Sequence, residues 1–344
     1  MISVIVPVHN ASNTLRRCVN SILTQSYKNI ELILINDAST DNTLQICQDC
    51  QNKDKRVKIV DNRENLGSEK SRLNGIKEAK GNWIMFIDAD DRLAHHHVIS
   101  NNLKLGEKYE VDMVQFGCRK VTKRGILKQK KLILPEGHYI QPEISSRFYT
   151  SFFGINNFPS NQWGKLYKSS IFQRVELNCF DVFMGDDQLF LMQIFPFLNS
   201  LYISNEVGYY YYIGGNSSNY PFLIDDALKL FNVKKREIEE QGLIHLKPYI
   251  HYELKNYFKS DLINKIKDRK EGKKELIQYI NRIVNTHLSE VIDYYRKEVP
   301  VASQEPFVRA ILNNDCEKVL EICCNILKKH RIQNYFRNIV TKYL

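Results

Sequence analysis

Three carboxylates, Asp88, Asp90 and Asp91, directly follow a short apolar run at residues 83–87. Packing carboxylates together is costly unless a cation neutralises them. Hard oxygen ligands suit Mg²⁺ or Mn²⁺, which often bind carboxylates together with substrate phosphates. A solvated acidic turn that caps the next helix is the alternative, because such triplets are common in loops. The cluster alone leaves both interpretations open.

A fourth carboxylate, Asp37, follows a second apolar run at residues 30–35. A side chain at this position can accept a hydrogen bond from a nucleobase N–H or a ribose hydroxyl, as acidic residues do in dinucleotide sites. Shaping the turn after the strand is its alternative role. Arg72, on a helix expected to begin near Gly67, can pair with a carboxylate of the acidic cluster or with a phosphate.

Strand and helix patterns alternate through the first hundred residues. Buried strands are predicted at 2–6, 30–35, 57–60 and 83–87, and helices at 13–25, 43–50 and 68–79. This alternation, with strands that are apolar on both faces, predicts an α/β fold with a parallel sheet. Ligands bind beyond the carboxyl ends of the strands in such sheets. The polar residues after these strands are therefore expected to meet at one edge, with Pro7, His9 and Asn10 following the first strand.

Several motifs of other enzyme classes are missing. No G-x-G-x-x-G follows the first strand, and neither G-x-x-x-x-G-K-[ST] nor G-x-S-x-G occurs, which argues against dehydrogenases, P-loop nucleotidases and α/β-hydrolases. Met1 leads directly into a strand, so no signal peptide is expected. Eight cysteines without a regular framework favour a reduced, cytoplasmic setting. Cys47 and Cys50 are interpreted as apolar helix residues, and histidines 95–97 as a helix start, rather than as metal ligands.

The net charge of +10 lies mostly in the C-terminal third, where residues 225–344 hold 23 Lys and Arg against 17 Asp and Glu. The preceding part is only mildly basic, so no nucleic-acid partner is predicted. Residues 322–344 contain basic, apolar and aromatic residues but no acid. Such a helix either binds an anionic membrane surface or packs on neighbouring helices with its basic face solvated. No apolar run is long enough to predict a membrane-spanning helix.

Five short segments, in order and at similar spacing, resemble the family 2 inverting glycosyltransferases, which have the GT-A fold. The segments are 3–10, 21–27, 31–41, 65–76 and 88–91. The resemblance implies a GT-A (Rossmann-like) nucleotide-sugar-binding domain at 1–220, with a donor half at 1–100 and an acceptor half at 101–220. Helical spacing from about residue 225 to the end predicts a mainly helical C-terminal extension at 221–344.

The resemblance also implies a role for each residue of the donor half that matches the family. Asp88 and Asp90 hold Mn²⁺ or Mg²⁺ on the diphosphate of the donor, and Arg72 supports the nucleotide or the metal cluster. The residues implied to line the nucleotide-sugar site are Pro7, His9, Asn10, Asp37, Arg72, Asp88, Ala89 and Asp91. Among them, Asp37 is implied to read the base and Asp91 to border the donor sugar.

Segment 184–190 resembles a second family motif, with Asp186-Asp187 in place of the usual Glu-Asp. The resemblance implies that Asp187 is the base that takes the proton from the acceptor hydroxyl, and that Asp186 is either an acceptor contact or an orienting neighbour of Asp187. Capping the following helix is the alternative role for these carboxylates.

Segment 161–167 resembles the part of the family that leads into the acceptor region, which makes Trp163 and Lys165 candidate acceptor contacts. Packing in the core is the alternative for Trp163. Tyr212 and Gly214 stand where many relatives carry Arg and His, so no further metal or phosphate ligand is implied in this loop.

Together these features predict a metal-dependent inverting glycosyltransferase. The resemblance implies transfer of a hexose or N-acetylhexosamine from a UDP-sugar, with β-linkage, to a glycan or lipid-linked glycan of a bacterial surface polysaccharide such as lipooligosaccharide or capsule. We expect a cytoplasmic protein, peripheral at the inner face of the inner membrane if the tail binds there. A catalytically inactive GT-A scaffold and a transferase with a non-UDP donor are the alternatives.

Overall fold

The computed structural model describes residues 1–122, 125–126, 135–153, 158–182, 185–214, 224–268, 270–299 and 304–343, with side chains up to residue 329. The chain divides into two compact units. The first comprises Met1–Asp181 and Gly185–Tyr220, and the second comprises Val182–Met184 and Pro221–Leu344.

One mixed sheet contains the strands described in the first unit. They are β1 (Ile2–Val8), β2 (Ile30–Asp37), β3 (Val57–Asn62), β4 (Trp83–Phe86), β5 (Arg92–Leu93), β6 (Met113–Thr122), β7 (Gly125–Ile126), β8 (Gly137–Ile140), β9 (Lys165–Lys168) and β10 (Ser200–Tyr212). Their order is β3-β2-β1-β4-β9-β6-β10-β5, with β7 beside β6 and β8 beside β10. Strands β1 to β4 pair in parallel, which confirms the predicted α/β fold. The residues after β1, β2 and β4 therefore lie at one edge of the sheet.

The helices of the first unit cover this sheet. They are α1 (Leu15–Leu23), α2 (Thr43–Lys53), α3 (Ser68–Glu78), α4 (Val98–Lys108), α5 (Glu143–Phe148), α6 (Ile171–Arg174) and α7 (Asp186–Ile194). Helix α3 approaches β1 so closely that a Cβ at Gly75 would overlap with Ile5 Cγ2. This contact explains the need for glycine and sets α3, which carries Arg72, against the sheet.

The later strands bring distant segments to the same sheet. Strand β9 pairs antiparallel with both β4 and β6. Strand β10 runs parallel to β6 with two register shifts, and its end pairs antiparallel with β5. Because β5 directly follows Asp91, this pairing places Tyr209 and Tyr212 of β10 beside the acidic cluster.

The second unit is helical, as the sequence predicted for the C-terminal region. Its helices are α8 (Ile224–Glu240), α9 (Lys247–Asp268), α10 (Lys273–Thr286), α11 (Ser289–Glu298), α12 (Pro306–Leu312) and α13 (Cys316–Tyr343). A buried ion pair, Lys234 Nζ to Glu253 at 2.8 Å, joins α8 to α9. Among the described residues, no helix is both long and apolar enough to cross a bilayer. Most side chains of the predicted membrane-surface segment 322–344 lie outside the described residues.

Candidate active site

The acidic cluster after β4 offers three carboxylate oxygens to one point. One oxygen each of Asp88, Asp90 and Asp91 lies within 4.8 Å of the others. Asp91 is fully buried, and its two oxygens accept hydrogen bonds from the Tyr209 hydroxyl and the Tyr212 amide, both at 2.8 Å. Burial, reinforced by the neighbouring charge of Asp88, raises the pKa of Asp91 to about 8. Asp88 and Asp90 are partly exposed, so these two carboxylates are the accessible ligands for a hard cation.

Arg72 of α3 links this cluster to a second acidic group. Its Nη2 donates to Asp88 Oδ1 at 2.6 Å, and its Nη1 lies 3.8 Å from Asp187 Oδ1. Although burial opposes its charge, Asp88 and Asp187 raise the pKa of the guanidinium further. Of the two partners that the sequence left open for Arg72, the structure therefore shows a carboxylate.

Asp186 and Asp187 form the first turn of α7, after Gly185 in the left-handed conformation (φ 86°). Asp187 Oδ1 accepts a hydrogen bond from the Gln162 amide at 3.4 Å. Burial raises the pKa of Asp187, Arg72 opposes the shift, and Asp186 and Asp88 add to it. A carboxylate with a raised pKa is suited to accept a proton near neutral pH.

The residues implied for the nucleotide lie at the ends of β1 and β2. His9 is exposed, with Nδ1 2.7 Å from the Asp37 carbonyl oxygen. Asn10 has a positive φ of 49°, and its Oδ1 accepts a hydrogen bond from the Thr40 amide at 2.8 Å. Pro7, two residues before His9, is partly buried. The structure thus brings Pro7, His9 and Asn10 together with the loop after β2.

Asp37 is 3% exposed and orders the loop that precedes α3. Its carboxylate accepts hydrogen bonds from the Asn62 side chain and from the Leu66 and Gly67 amides, all at 2.9 Å. The turn-shaping role that the sequence allowed is therefore present in the structure. A contact between Asp37 and the base stays a prediction.

Ala89 is buried between the two accessible carboxylates, at 8% exposure. A contact between Ala89 and the donor sugar stays a prediction.

Trp163 lies in the segment that leads into β9, and Lys165 is the first residue of that strand. The Trp163 ring is partly buried and stacks on Tyr209, with centroids 4.4 Å apart and planes 7° apart. Lys165 is fully buried, and its ammonium donates to the carbonyl oxygens of Pro159 and Asn161. The ammonium thus binds carbonyl oxygens of the preceding loop, and a contact between Lys165 and an acceptor stays a prediction. Burial lowers the pKa of Lys165 to about 7.

Two further residues of the site, Tyr209 and Glu69, were missed from the sequence. Tyr209 binds Asp91 across 118 residues of chain, and no local pattern pairs them. Glu69, on the first turn of α3, accepts a hydrogen bond from the Gln162 side chain and lies 3.9 Å from Arg72 Nη1. Burial raises the pKa of Glu69 to about 7, against the opposing charge of Arg72. Only its position one turn before Arg72 was a sequence signal.

The three consecutive histidines do not converge on one point. His95 Nε2 lies 3.0 Å from Glu206, whereas His96 and His97 contact the Thr24 carbonyl and the Ser26 hydroxyl. Within the described ranges, the acidic cluster after β4 is the group of side chains that can hold a metal ion.

Bacterial glycosyltransferases are similar to this chain in sequence. Glycosyltransferase GlyA of Streptococcus pneumoniae is 30% identical over 218 residues, which are 62% of this chain and 30% of that protein. An uncharacterized glycosyltransferase of Haemophilus influenzae is 45% identical over 95 residues, which are 28% of this chain and 38% of that protein. The chain thus matches less than two fifths of the length of either relative.

Solved structures show the same fold at low sequence identity. TarS residues 1–349 of S. aureus, in complex with UDP-GlcNAc, superpose with a TM-score of 0.68 at 18% identity, over 95% of this chain and 92% of that one. The mannosyltransferase PcManGT from Pyrobaculum calidifontis, in complex with GDP-Man and Mn²⁺, has a TM-score of 0.51 at 17% identity, over 93% and 86% of the two chains.

The family description Glycosyl transferase family 2 matches residues 3–175, half of the chain. The matched stretch contains the acidic cluster, Asp37 and Arg72, and the mixed sheet around them has the GT-A architecture seen in TarS. These findings confirm the resemblance found in the sequence: the chain belongs to glycosyl transferase family 2.

Proposed function

We propose that the chain is a metal-dependent inverting glycosyltransferase that moves a hexose or N-acetylhexosamine from a UDP-sugar to a glycan acceptor with β-linkage. One observation carries the proposal: a single guanidinium, Arg72, lies between Asp88 of the acidic cluster and Asp187 of α7. The donor site and the proton acceptor then both adjoin the Arg72 guanidinium. Family membership supports the transfer reaction, and the UDP-GlcNAc complex of TarS supports a UDP donor.

On the donor side, the residues fit a divalent cation such as Mn²⁺ or Mg²⁺. Asp88 and Asp90 would hold it with partly exposed carboxylates, while Tyr209 and Tyr212 keep Asp91 in the wall behind them. When bound, the ion would neutralise the diphosphate and stabilise the departing nucleotide. The nucleotide would extend from the cluster towards His9, at the end of the neighbouring strand.

On the acceptor side, Asp187 takes the proton from the attacking hydroxyl. A bond forms between the acceptor oxygen and the anomeric carbon, the bond from that carbon to the diphosphate oxygen breaks, and the proton passes to the Asp187 carboxylate. Attack from the face opposite the leaving group inverts the anomeric centre. Arg72 orients Asp187 and opposes the rise of its pKa, and Asp186 orients the acceptor.

We assign the transfer to residues 1–220, with donor contacts in 1–100 and acceptor contacts in 101–220. We also propose that segment 322–344 binds an anionic membrane surface at the cytoplasmic face, where a lipid-linked glycan would be presented for surface-polysaccharide synthesis. Deleting 322–344 should abolish sedimentation with anionic liposomes while keeping transfer to a soluble acceptor. Unchanged liposome binding by the truncated chain would contradict the membrane proposal.

A panel of nucleotide sugars tests the donor proposal. The full chain is incubated with UDP- and GDP-sugars in Mn²⁺ or in EDTA, and release of the nucleotide is measured together with product mass. We expect release from UDP-sugars in Mn²⁺ alone. Release from GDP-mannose only would favour the non-UDP alternative, which the GDP-Man complex of PcManGT supports. The absence of both nucleotide release and nucleotide binding would favour the inactive scaffold.

A further inference from the structure

An exposed guanidinium on α1 adjoins the acidic cluster. Arg17 donates from Nη2 to the backbone carbonyl of Asp90. Its guanidinium carbon lies 3.6 Å from the centroid of the Tyr212 ring. Stacking of this kind is attractive and leaves the edge of the guanidinium open for hydrogen bonds.

Tyr212 is held firmly as the platform for this stack. Its amide donates to Asp91 Oδ1 at 2.8 Å, and its hydroxyl accepts a hydrogen bond from Arg92 Nε at 3.1 Å. The backbone of Tyr212 is thus tied to the acidic cluster, and its ring to β5. Arg17 therefore has a defined place beside the cluster, although it is an exposed side chain.

Arg17 forms no ion pair with a carboxylate among the described residues. In the described part of the chain, no Asp or Glu oxygen lies within 4.0 Å of its guanidinium nitrogens. The adjacent Arg16 behaves differently, because its Nη2 pairs with Asp49 at 2.7 Å. Of these two neighbouring arginines on α1, Arg16 forms a surface ion pair, whereas Arg17 presents its charge beside the acidic cluster.

We propose that Arg17 binds the diphosphate of the nucleotide donor, with Tyr212 as its positioning residue. The inference rests on the proposed transferase function. The charge of a divalent ion is already balanced by the two carboxylates that hold it. A further cation would therefore stabilise the bound, anionic diphosphate. An arginine has five N–H donors in a planar fork that matches phosphate oxygens, and the Asp90 carbonyl uses one side of it.

The same contact acts during transfer. Negative charge grows on the diphosphate oxygen as its bond to the sugar breaks. A preorganised cation therefore stabilises the transition state more than the ground state. Loss of Arg17 should therefore reduce both nucleotide affinity and kcat. Loss of the Tyr212 ring should have a smaller effect of the same kind, because Arg17 remains but is no longer oriented.

The test measures binding of UDP, GDP and uridine to the full chain by calorimetry in Mn²⁺. The variants are Arg17→Ala, Arg17→Lys and Tyr212→Leu, with Arg16→Ala as the matched control and thermal melting as the check of folding. We expect Arg17→Ala to weaken binding of the preferred nucleoside diphosphate about tenfold or more, with uridine binding changed less than about twofold. The nucleotide affinity of Arg17→Lys should fall between those of the wild type and Arg17→Ala, and the affinity of Arg16→Ala should match that of the wild type.

The outcomes separate this inference from the proposed function. Wild-type affinity of a folded Arg17→Ala for UDP and GDP would overturn the role of Arg17 alone, while the donor proposal would stand. Equal losses for uridine and the diphosphates would also overturn it, since Arg17 would then shape the pocket rather than bind phosphate. A wild-type chain that binds neither diphosphate would overturn both proposals together.

Discussion

Replacing Tyr209 with phenylalanine removes one oxygen atom from the wall of the site and keeps the ring. Tyr209 is fully buried and stacks on Trp163. Its hydroxyl donates to Asp91 Oδ2 at 2.8 Å and accepts a hydrogen bond from the Asp88 amide at 3.1 Å. Both groups belong to the loop that carries the acidic cluster, so the substitution tests what holds that loop in place.

The expected cost follows from the two groups left without this partner. A buried polar group that loses its hydrogen bond costs about 1–3 kcal/mol. Asp91 is fully buried, whereas the Asp88 amide is only partly so, and we therefore expect a loss of about 2–4 kcal/mol in the free energy of unfolding. At about 2–4 °C per kcal/mol, the unfolding midpoint should fall by roughly 5–15 °C. Binding of Mn²⁺ should weaken as well, since the carboxylates lose their fixed positions.

Urea unfolding and Mn²⁺ titration of the full chain measure these effects. Tyr211→Phe is the matched control. Tyr211 also stacks on Trp163, with centroids 5.5 Å apart, but among the described residues its hydroxyl forms no hydrogen bond to the acidic loop. The control should stay within about 0.5 kcal/mol of the wild type, as is usual for substitutions away from such networks. If Tyr209→Phe were as stable as Tyr211→Phe and bound Mn²⁺ equally well, the reasoning about the acidic loop would be refuted.

Three further outcomes follow from the structure. Asp187→Asn should keep nucleotide binding and lower kcat about 10²–10⁴-fold, the usual contribution of a general base; wild-type turnover would remove that role. Asp90→Ala should abolish the Mn²⁺ dependence of nucleotide binding, and persistence of that dependence in calorimetry would contradict metal ligation. Burial lowers the pKa of His251 from 6.5 to about 4. Between these pH values the imidazole is protonated in the unfolded chain but not in the folded chain. The free energy of unfolding should therefore fall by about 2–3 kcal/mol as the pH drops from 6.5 to 4. His251→Phe, which can still stack on Tyr294, should flatten this slope in urea unfolding followed by circular dichroism, and an unchanged slope would exclude His251 as its origin.

Residues at strand ends were predictable because each belongs to a local pattern. Asp37 ends β2 and Asp88 follows β4, and the apolar runs before them identified the strands. The alternation with helices then predicted a parallel sheet, which places both residues at one edge. The same reasoning predicted the helical C-terminal region from periodicity alone. Strand ends and helix boundaries differ from the prediction by a few residues, since local signals mark them weakly.

Contacts between distant segments could not be predicted in this way. Arg72 had two possible partners in the sequence, and only the close packing of α3 on β1 brings it to Asp88. The resemblance of segment 161–167 to the family suggested an acceptor contact for Lys165, and no local pattern indicated that the fold buries its ammonium against two backbone carbonyls. Glu69 was not recognised, because its partner Gln162 lies 93 residues away.

The sequence by itself determined the family, the α/β class and the edge of the sheet at which the acidic residues gather, because these follow from short motifs and from the periods of strand and helix. The tertiary structure decided which carboxylates are accessible and which are held. Asp91 is fixed by β10, and Arg17 is oriented by Tyr212 of the same strand. The pairing of β10 with β5 joins segments more than one hundred residues apart, and such a pairing depends on the packing of the whole sheet rather than on any local pattern.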